Sequence, residues 1–384
     1  MNDTVALTGC ESYNRAVIEE KVARLFDLLG GPSAFAGPGQ SVFVKVNAVI
    51  GAAPEKGITT HPEVVRAVVN QFKKVTDRVT IGDSPGGPFT PAYLRRVYEK
   101  CGYAAVARET GAELGLDTST KQVTISDGKA LKAIAVCKAM ADADCLVSVS
   151  KLKTHMFLNI TAAIKNMFGA VPGGNKFTYH SRFTRDTDFA DLIVDVLLAS
   201  APDLNIVEAV VAMDGNGPRA GNLIDVGLLA GGRDAMAIDA VLMDVIGIEA
   251  KMNKPLAAAT RRGLWTGDLD GVEVVGDSVA VLAYSGFRLP TKKDISEHVP
   301  EFIMKRFGDH MALRPVPVAG KCTACGKCVE ICPAHAVTVV DKIARVDLKK
   351  CQACYCCHEL CEHDAIALER PMLMKLLRIN RDLA

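Results

Sequence analysis

The chain has 384 residues, and its 45 lysines and arginines nearly balance 44 aspartates and glutamates, for a formal net charge of +1. That balance, with no long basic run, argues against a nucleic-acid partner. No apolar run reaches the roughly 18 residues of a spanning helix, and the start Met1-Asn2-Asp3-Thr4 lacks a leader's basic and apolar regions. A cytoplasmic protein without a membrane span is expected, of two or three domains by length.

In chain order, short β-branched runs alternate with helical patterns. Val17, Ile18, Val22, Leu25, Phe26 and Leu29 keep helical spacing up to Gly30-Gly31. Ser41 to Val46 reads as a buried strand, and Pro62 as the first residue of a helix with the stripe Val64, Val65, Val68, Val69, Phe72. A strand follows at Val79 to Gly82. Thr90 and Pro91 then cap and open a helix that ends at Cys101-Gly102. Val123 to Val136 suggests a hairpin turned at Asp127-Gly128. Cys145 to Val149 is a further strand, Asn159 to Phe168 a helix, and Ala170 to His180 a Gly-rich basic loop able to act as a lid. A helix behind Asp186, strands at Ile206 to Val211 and Val226 to Ala230, a helix closed by Gly247 and a strand at Val272 to Val275 complete the alternation. The fold class expected is α/β: a mostly parallel, mixed sheet with helices on both faces. It spans residues 1–285. A Pro-rich connector over 286–320, a small α+β module over 321–369 and a terminal helix over 370–384 follow.

Ligands in such sheets bind beyond the carboxyl ends of the strands. Lys45 and Asn47 close the Ser41 strand. Thr60 and His61 stand at a helix N-terminus, where they serve either as a plain cap or as an anion site. Asp83 and Ser84 open a glycine-rich loop, which is either a turn or a close approach to a ligand. In Ser150-Lys151-Leu152-Lys153-Thr154-His155 an extended chain puts Lys151, Lys153 and His155 on one side, facing a phosphate or carboxylate. His155 is also a candidate acid or base. Lys165, Asn166 and Asp214 are further candidates for the same pocket. Gly215-x-Gly217-x-x-Ala220 mimics a dinucleotide fingerprint, but Pro218 interrupts it and no helix follows, so no NAD site is assigned.

Nine of the thirteen cysteines fall between residues 322 and 361. Cys322, Cys325, Cys328 and Cys332 read C-x2-C-x2-C-x3-C, and the spacing returns 29 residues later at Cys351, Cys354, Cys357 and Cys361. This is the run that holds two [4Fe–4S] clusters, with each fourth cysteine serving the other cube. Cys322, Cys325, Cys328 and Cys361 are therefore expected around one cluster, and Cys351, Cys354, Cys357 and Cys332 around the other. Zinc needs only one tetrad, and a disulfide scaffold suits a small secreted chain. Glu362 stands where the first tetrad has Pro333, and Cys356 is expected to be a packed bystander.

Lys45-Val46-Asn47, Thr60-His61-Pro62-Glu63, Ile81 to Gly87, Ser150 to His155, Ala163 to Gly169 and Gly231-Gly232-Arg233-Asp234 together resemble the domain of unknown function 362 family, in its form fused to a C-terminal two-cluster ferredoxin. The resemblance implies this architecture and low-potential electron transfer, and it leaves the chemistry of the larger domain open. The residues point to an iron–sulfur oxidoreductase. It would pass electrons between its clusters and an anionic small molecule or bound cofactor, a flavin among the candidates. The alternative is an electron carrier or assembly protein whose α/β domain docks a redox partner protein.

Overall fold

The structure, a computed structural model, describes residues 3–290 and 313–369. The middle of the expected connector and the expected terminal helix lie outside the described residues. The chain divides into two compact units: residues 1–176 with 185–290, and residues 177–184 with 291–384.

The first unit is built on a nine-stranded sheet. Its strands are β1 (Asp3–Gly9), β2 (Val42–Lys45), β3 (Val79–Gly82), β4 (Glu113–Leu114), β7 (Cys145–His155), β8 (Asn159–Thr161), β9 (Leu204–Asp214), β10 (Asn222–Gly232) and β11 (Val272–Gly276). β5 (Thr120–Thr124) and β6 (Ala133–Cys137) form a separate antiparallel hairpin. The order across the sheet is β11-β1-β10-β9-β7-β2-β3-β4, with β8 folded back on β7. β10 runs antiparallel to both its neighbours, and the other pairings along this path are parallel. All four residues of β2 and all eleven of β7 are buried, as strands covered on both faces must be. Helices Arg15–Leu28, Pro62–Lys73, Pro91–Lys100 and Tyr103–Thr110 pack together on one face. Helices Asp186–Ser200, Ala235–Val245 and Lys254–Arg261 pack together on the other.

Two expected elements differ. Asn159 to Phe168 is not one helix. Asn159 adopts φ +65, the chain doubles back as β8 with Thr161 opposite Lys153, and only Ala163–Asn166 turns helical before a short 3-10 turn. The basic loop after Ala170 is also shorter than expected, because Asn175–Arg182 is a helix. Gly217-Pro218 lies in the β9–β10 connection with no helix behind it, so the dinucleotide fingerprint is absent from the fold.

The second unit is a duplicated half. β12 (Arg314–Pro317), the helical turn Lys327–Glu330 and β13 (Val337–Val340) recur 29 residues on as β14 (Ile343–Val346), the turn Cys356–Glu359 and β15 (Ile366–Glu369). Left-handed backbone at Ala324, Gly326 and His335 recurs at Ala353, Tyr355 and Asp364. β12 pairs with β15 and β13 with β14, both antiparallel, so each half completes the other's sheets.

Candidate functional site

The chain places β3 and β4 on one side of β2, and β7 and β9 on the other. The order therefore reverses between β2 and β7, and a crevice forms beyond the carboxyl ends of strands at such a point. Lys45 ends β2, Asp83 follows β3, and Lys151 and Lys153 lie in the C-terminal half of β7.

Lys45 is fully buried. Its ammonium lies 3.1 Å from Asp83 Oδ1 and donates to Asn166 Oδ1 at 2.9 Å. Asp83 Oδ2 accepts from the Ala48 amide at 2.8 Å. Asn166 is held by Asn47 Nδ2 at 3.0 Å and donates to Ser148 Oγ at 2.9 Å. Gly169 lies against this pair: a Cβ there would stand 2.4 Å from Lys45 Nζ, so no larger residue fits without displacing it. Burial lowers the Lys45 pKa, and Asp83 opposes the shift.

Lys153 is 1% exposed and donates to Asn47 Oδ1 at 2.6 Å and to the Ile58 carbonyl. Among the described residues no carboxylate lies within ion-pair reach of it. Burial, with the charges of Lys165, Lys151 and Lys45, drives its pKa well below the usual lysine value. Lys176 is likewise buried and without an ion pair among the described residues. Its ammonium clasps the carbonyls of Ser84 and Val171, while Ser84 Oγ accepts from the Gly173 amide at 2.7 Å. Burial lowers the Lys176 pKa to about 8.

Lys151 belongs to a neighbouring network. Its ammonium lies 2.7 Å from Glu208 Oε1, donates to the Val211 carbonyl at 2.7 Å and donates to the Tyr13 hydroxyl at 3.0 Å. Tyr13 donates to Glu208 Oε2 at 2.7 Å and stacks on His61 at 3.7 Å between ring centres. Glu208 Oε1 accepts from the His61 amide at 3.0 Å, so a carboxylate of the chain itself already sits at this helix N-terminus. His61, not Thr60, is the N-cap: its Nδ1 accepts from the Glu63 amide. The Thr60 hydroxyl instead donates to the Val149 carbonyl at 2.8 Å and accepts from the Asn47 amide. Burial lowers the His61 pKa.

The remaining candidates are spread more widely. His155 is buried, and its Nδ1 accepts from the Phe157 and Leu158 amides within its own turn. Asp214 accepts from Asn222 and from Arg288 Nε at 3.0 Å. Burial pushes its carboxyl up, but these donors outweigh that and hold it below the ordinary value. Sequence reasoning did not single out Tyr13 and Glu208. The available signal was a lone carboxylate inside the apolar run Ile206 to Val211, since a buried acid requires a cation.

Asp239 fixes the short helix that carries Lys165 and Asn166. Its carboxylate accepts from the Ala163 amide at 2.7 Å and from Asn253 at 3.0 Å, and burial raises its pKa from 3.8 to about 7. The folded state therefore holds a proton that the unfolded state has released between those values. The stabilisation is complete at low pH and is lost as pH rises towards about 7. In denaturant titrations across this window, Asp239→Asn is expected to flatten that decline.

In the second unit each cysteine set borders its own cavity. Cys322, Cys325, Cys328 and Cys361 line one, and Cys332, Cys351, Cys354 and Cys357 line the other. Among the described residues no three His, Cys, Asp or Glu side chains are grouped as ligands for a single ion. Backbone amides of Ala344, Ala336 and Ala365 donate to the sulfurs of Cys322, Cys332 and Cys361 at 3.4, 3.2 and 3.3 Å. These residues fit an iron–sulfur cluster, whose thiolates stand apart around a cube and accept amide hydrogen bonds.

An α/β sheet joined to such a module defines an iron–sulfur electron-transfer protein. Comparison with known sequences agrees. The pattern described as "4Fe-4S binding domain" matches residues 315–338, and that described as "Domain of unknown function (DUF362)" matches residues 42–244, just over half of the chain. The chain belongs to the DUF362 family. A thylakoid-associated protein of Synechocystis sp. is 33% identical over 265 residues, covering 69% of this chain and 81% of its own length. The lactate racemase apoprotein of Thermoanaerobacterium thermosaccharolyticum is 15% identical with a TM-score of 0.37, over 61% of this chain and 54% of that one. Among the described residues no helix is long and apolar enough to cross a membrane.

Proposed function

We propose that the α/β domain binds an anionic small molecule or cofactor at the β2–β7 switch point, and that the C-terminal module holds two [4Fe–4S] clusters and exchanges single electrons with that ligand. One observation carries the binding half. Among the described residues four lysines are buried around the switch point, Lys45, Lys151, Lys153 and Lys176, and of these only Lys45 and Lys151 have a carboxylate, from Asp83 and Glu208. A buried ammonium without a counter-charge is costly, and a lysine in that position sheds its proton or takes an anion. Lys153 is the residue where this conflict is sharpest.

An anion seated beside Lys153 restores its charged form, so binding takes up a proton and weakens as pH rises. Lys45, Asn47, Asn166 and Lys165 complete the cradle, and Asp83 and Ser84 border it. Thr60 and His61 brace it from the start of the helix Pro62–Lys73, and His155 and Asp214 end β7 and β9 beside it. The clusters supply one-electron transfer when bound. Cys322, Cys325, Cys328 and Cys361 hold one, and Cys332, Cys351, Cys354 and Cys357 the other. The two cysteine-lined cavities and the duplication support this reading. A reducing, cytoplasmic compartment suits the free thiols of Cys10, Cys101, Cys137 and Cys145.

The test uses the full chain, loaded with iron and sulfide without oxygen, and inorganic phosphate, pyrophosphate and flavin mononucleotide as probes. A probe at about 100 times its dissociation constant is expected to stabilise the wild type by about 2.7 kcal/mol. Lys153→Met is expected to abolish that shift for all three probes and, with flavin mononucleotide as electron acceptor, the flavin-dependent reoxidation of reduced clusters, with the iron content unchanged. A variant that binds and reoxidises like the wild type would remove the site.

A further inference from the structure

The two cysteine cavities are related by duplication, but their walls are not equivalent. The first is bordered by Lys327 and His363, and Lys327 pairs its ammonium with Glu362. The positions 29 residues away carry Cys356 in place of Lys327 and Pro333 in place of Glu362. Among the described residues no charged side chain borders the second cavity. Around it, Arg314 acts on Cys351 and Glu359 acts on Cys354, with opposite signs. Exposure differs in the same sense. Cys325 of the first set is exposed, whereas Cys357, Cys356 and Tyr355 bury the second. Amide donors do not separate the two: Cys322 and Cys361 of the first set accept backbone amides, and so do Cys332, Cys351 and Cys354 of the second.

The lysine and the exposure act in one direction. Reduction adds one negative charge to a cluster. A neighbouring ammonium and water each stabilise the added charge, and a buried wall without a charged side chain does not. Resting on the two-cluster reading above, we propose that Lys327 is a potential-setting residue. It makes the site of Cys322, Cys325, Cys328 and Cys361 the higher-potential one, so that an electron held by the Cys332, Cys351, Cys354 and Cys357 site passes to it. The step is a bare electron transfer: the second site is oxidised, the first is reduced, and no proton or bond changes hands. Glu362 moderates the effect by partly neutralising the lysine. Cys356, on the wall of the second cavity, stands at the position of Lys327 and brings a thiol in place of an ammonium.

The test is an oxygen-free potentiometric titration of the reconstituted full chain, followed by paramagnetic resonance of the reduced clusters. The wild type is expected to show two separate one-electron waves. Lys327→Met is expected to lower the upper wave alone, cutting its reduced-to-oxidised ratio at fixed potential by about tenfold, or about 59 mV. Glu362→Gln is expected to raise the same wave, and Lys327→Arg to leave it in place. With about eight irons per chain, coincident waves in the wild type, or variants that move the lower wave, both waves or neither, would overturn the assignment of Lys327 and leave the two clusters standing. About four irons per chain would remove the second cluster, and this inference with it.

Discussion

Glu208→Gln is expected to destabilise the α/β domain by about 3–5 kcal/mol, the usual cost of leaving one partner of a buried ion pair alone. Lys151 and Glu208 are 1% and 0% exposed as side chains, and the ammonium lies 2.7 Å from Oε1. Water cannot reach the lysine when the carboxylate is lost. The amide oxygen of glutamine still accepts a hydrogen bond from Tyr13 or from the His61 amide, so the change isolates the missing charge from the missing acceptor. At roughly 2–4 °C per kcal/mol for a domain of this size, the melting temperature falls by roughly 10 °C. Circular dichroism on heating reads it. The double variant Lys151→Met with Glu208→Gln is expected to recover part of the loss, because no buried charge remains. A single variant that melts with the wild type would show that the pair contributes little, and that Tyr13 and His61 fasten the N-terminal segment by stacking alone.

Cys328→Ala and Cys357→Ala are each expected to cut bound iron from about eight to about four per chain, because each removes one thiolate from a different cube. The pair is diagnostic because the cavities share no cysteine. Cys332→Ala tests the crossed assignment, since a fourth ligand belongs to the cavity of the other tetrad. It should produce the spectral change of Cys357→Ala, not that of Cys328→Ala. Cys356→Ala is expected to leave the iron content unchanged. Iron and sulfide analysis with absorbance near 400 nm, about where such clusters absorb, follows all four.

The grouping of the cysteines around two cavities is legible because their positions are close in sequence: three of the four that border each cavity come from one short loop. The sheet was legible for a related reason. Ser41 to Val46 and Val79 to Gly82 are β-branched runs, and buried parallel strands are written that way. β7 exceeds the expected Cys145 to Val149 because lysines at 151 and 153 look like a solvated strand end. Their partners, Glu208, Asn47 and Ile58, come from distant segments that no local pattern connects. The stretch after Asn159 was misread because Ile160, Ala163, Ile164 and Met167 keep helical spacing, while the left-handed turn at Asn159 and the pairing of Thr161 with Lys153 depend on the sheet. The two lysines and His155 were expected on one side. Lys153 reaches the Ile58 carbonyl, and the Glu208 partner of Lys151 takes the His61 amide, so both lysines work against the segment before the helix Pro62–Lys73. His155 instead ties up its own turn.

The clasp of Lys176 on Ser84 and Val171 has a kinetic consequence. Were the proposed anion to reach Lys45 from that side, it would have to part the two segments that the ammonium joins, and its arrival would be gated by that opening rather than by diffusion. The observed association rate should then level off at high ligand concentration, at a ceiling set by how often the clasp releases.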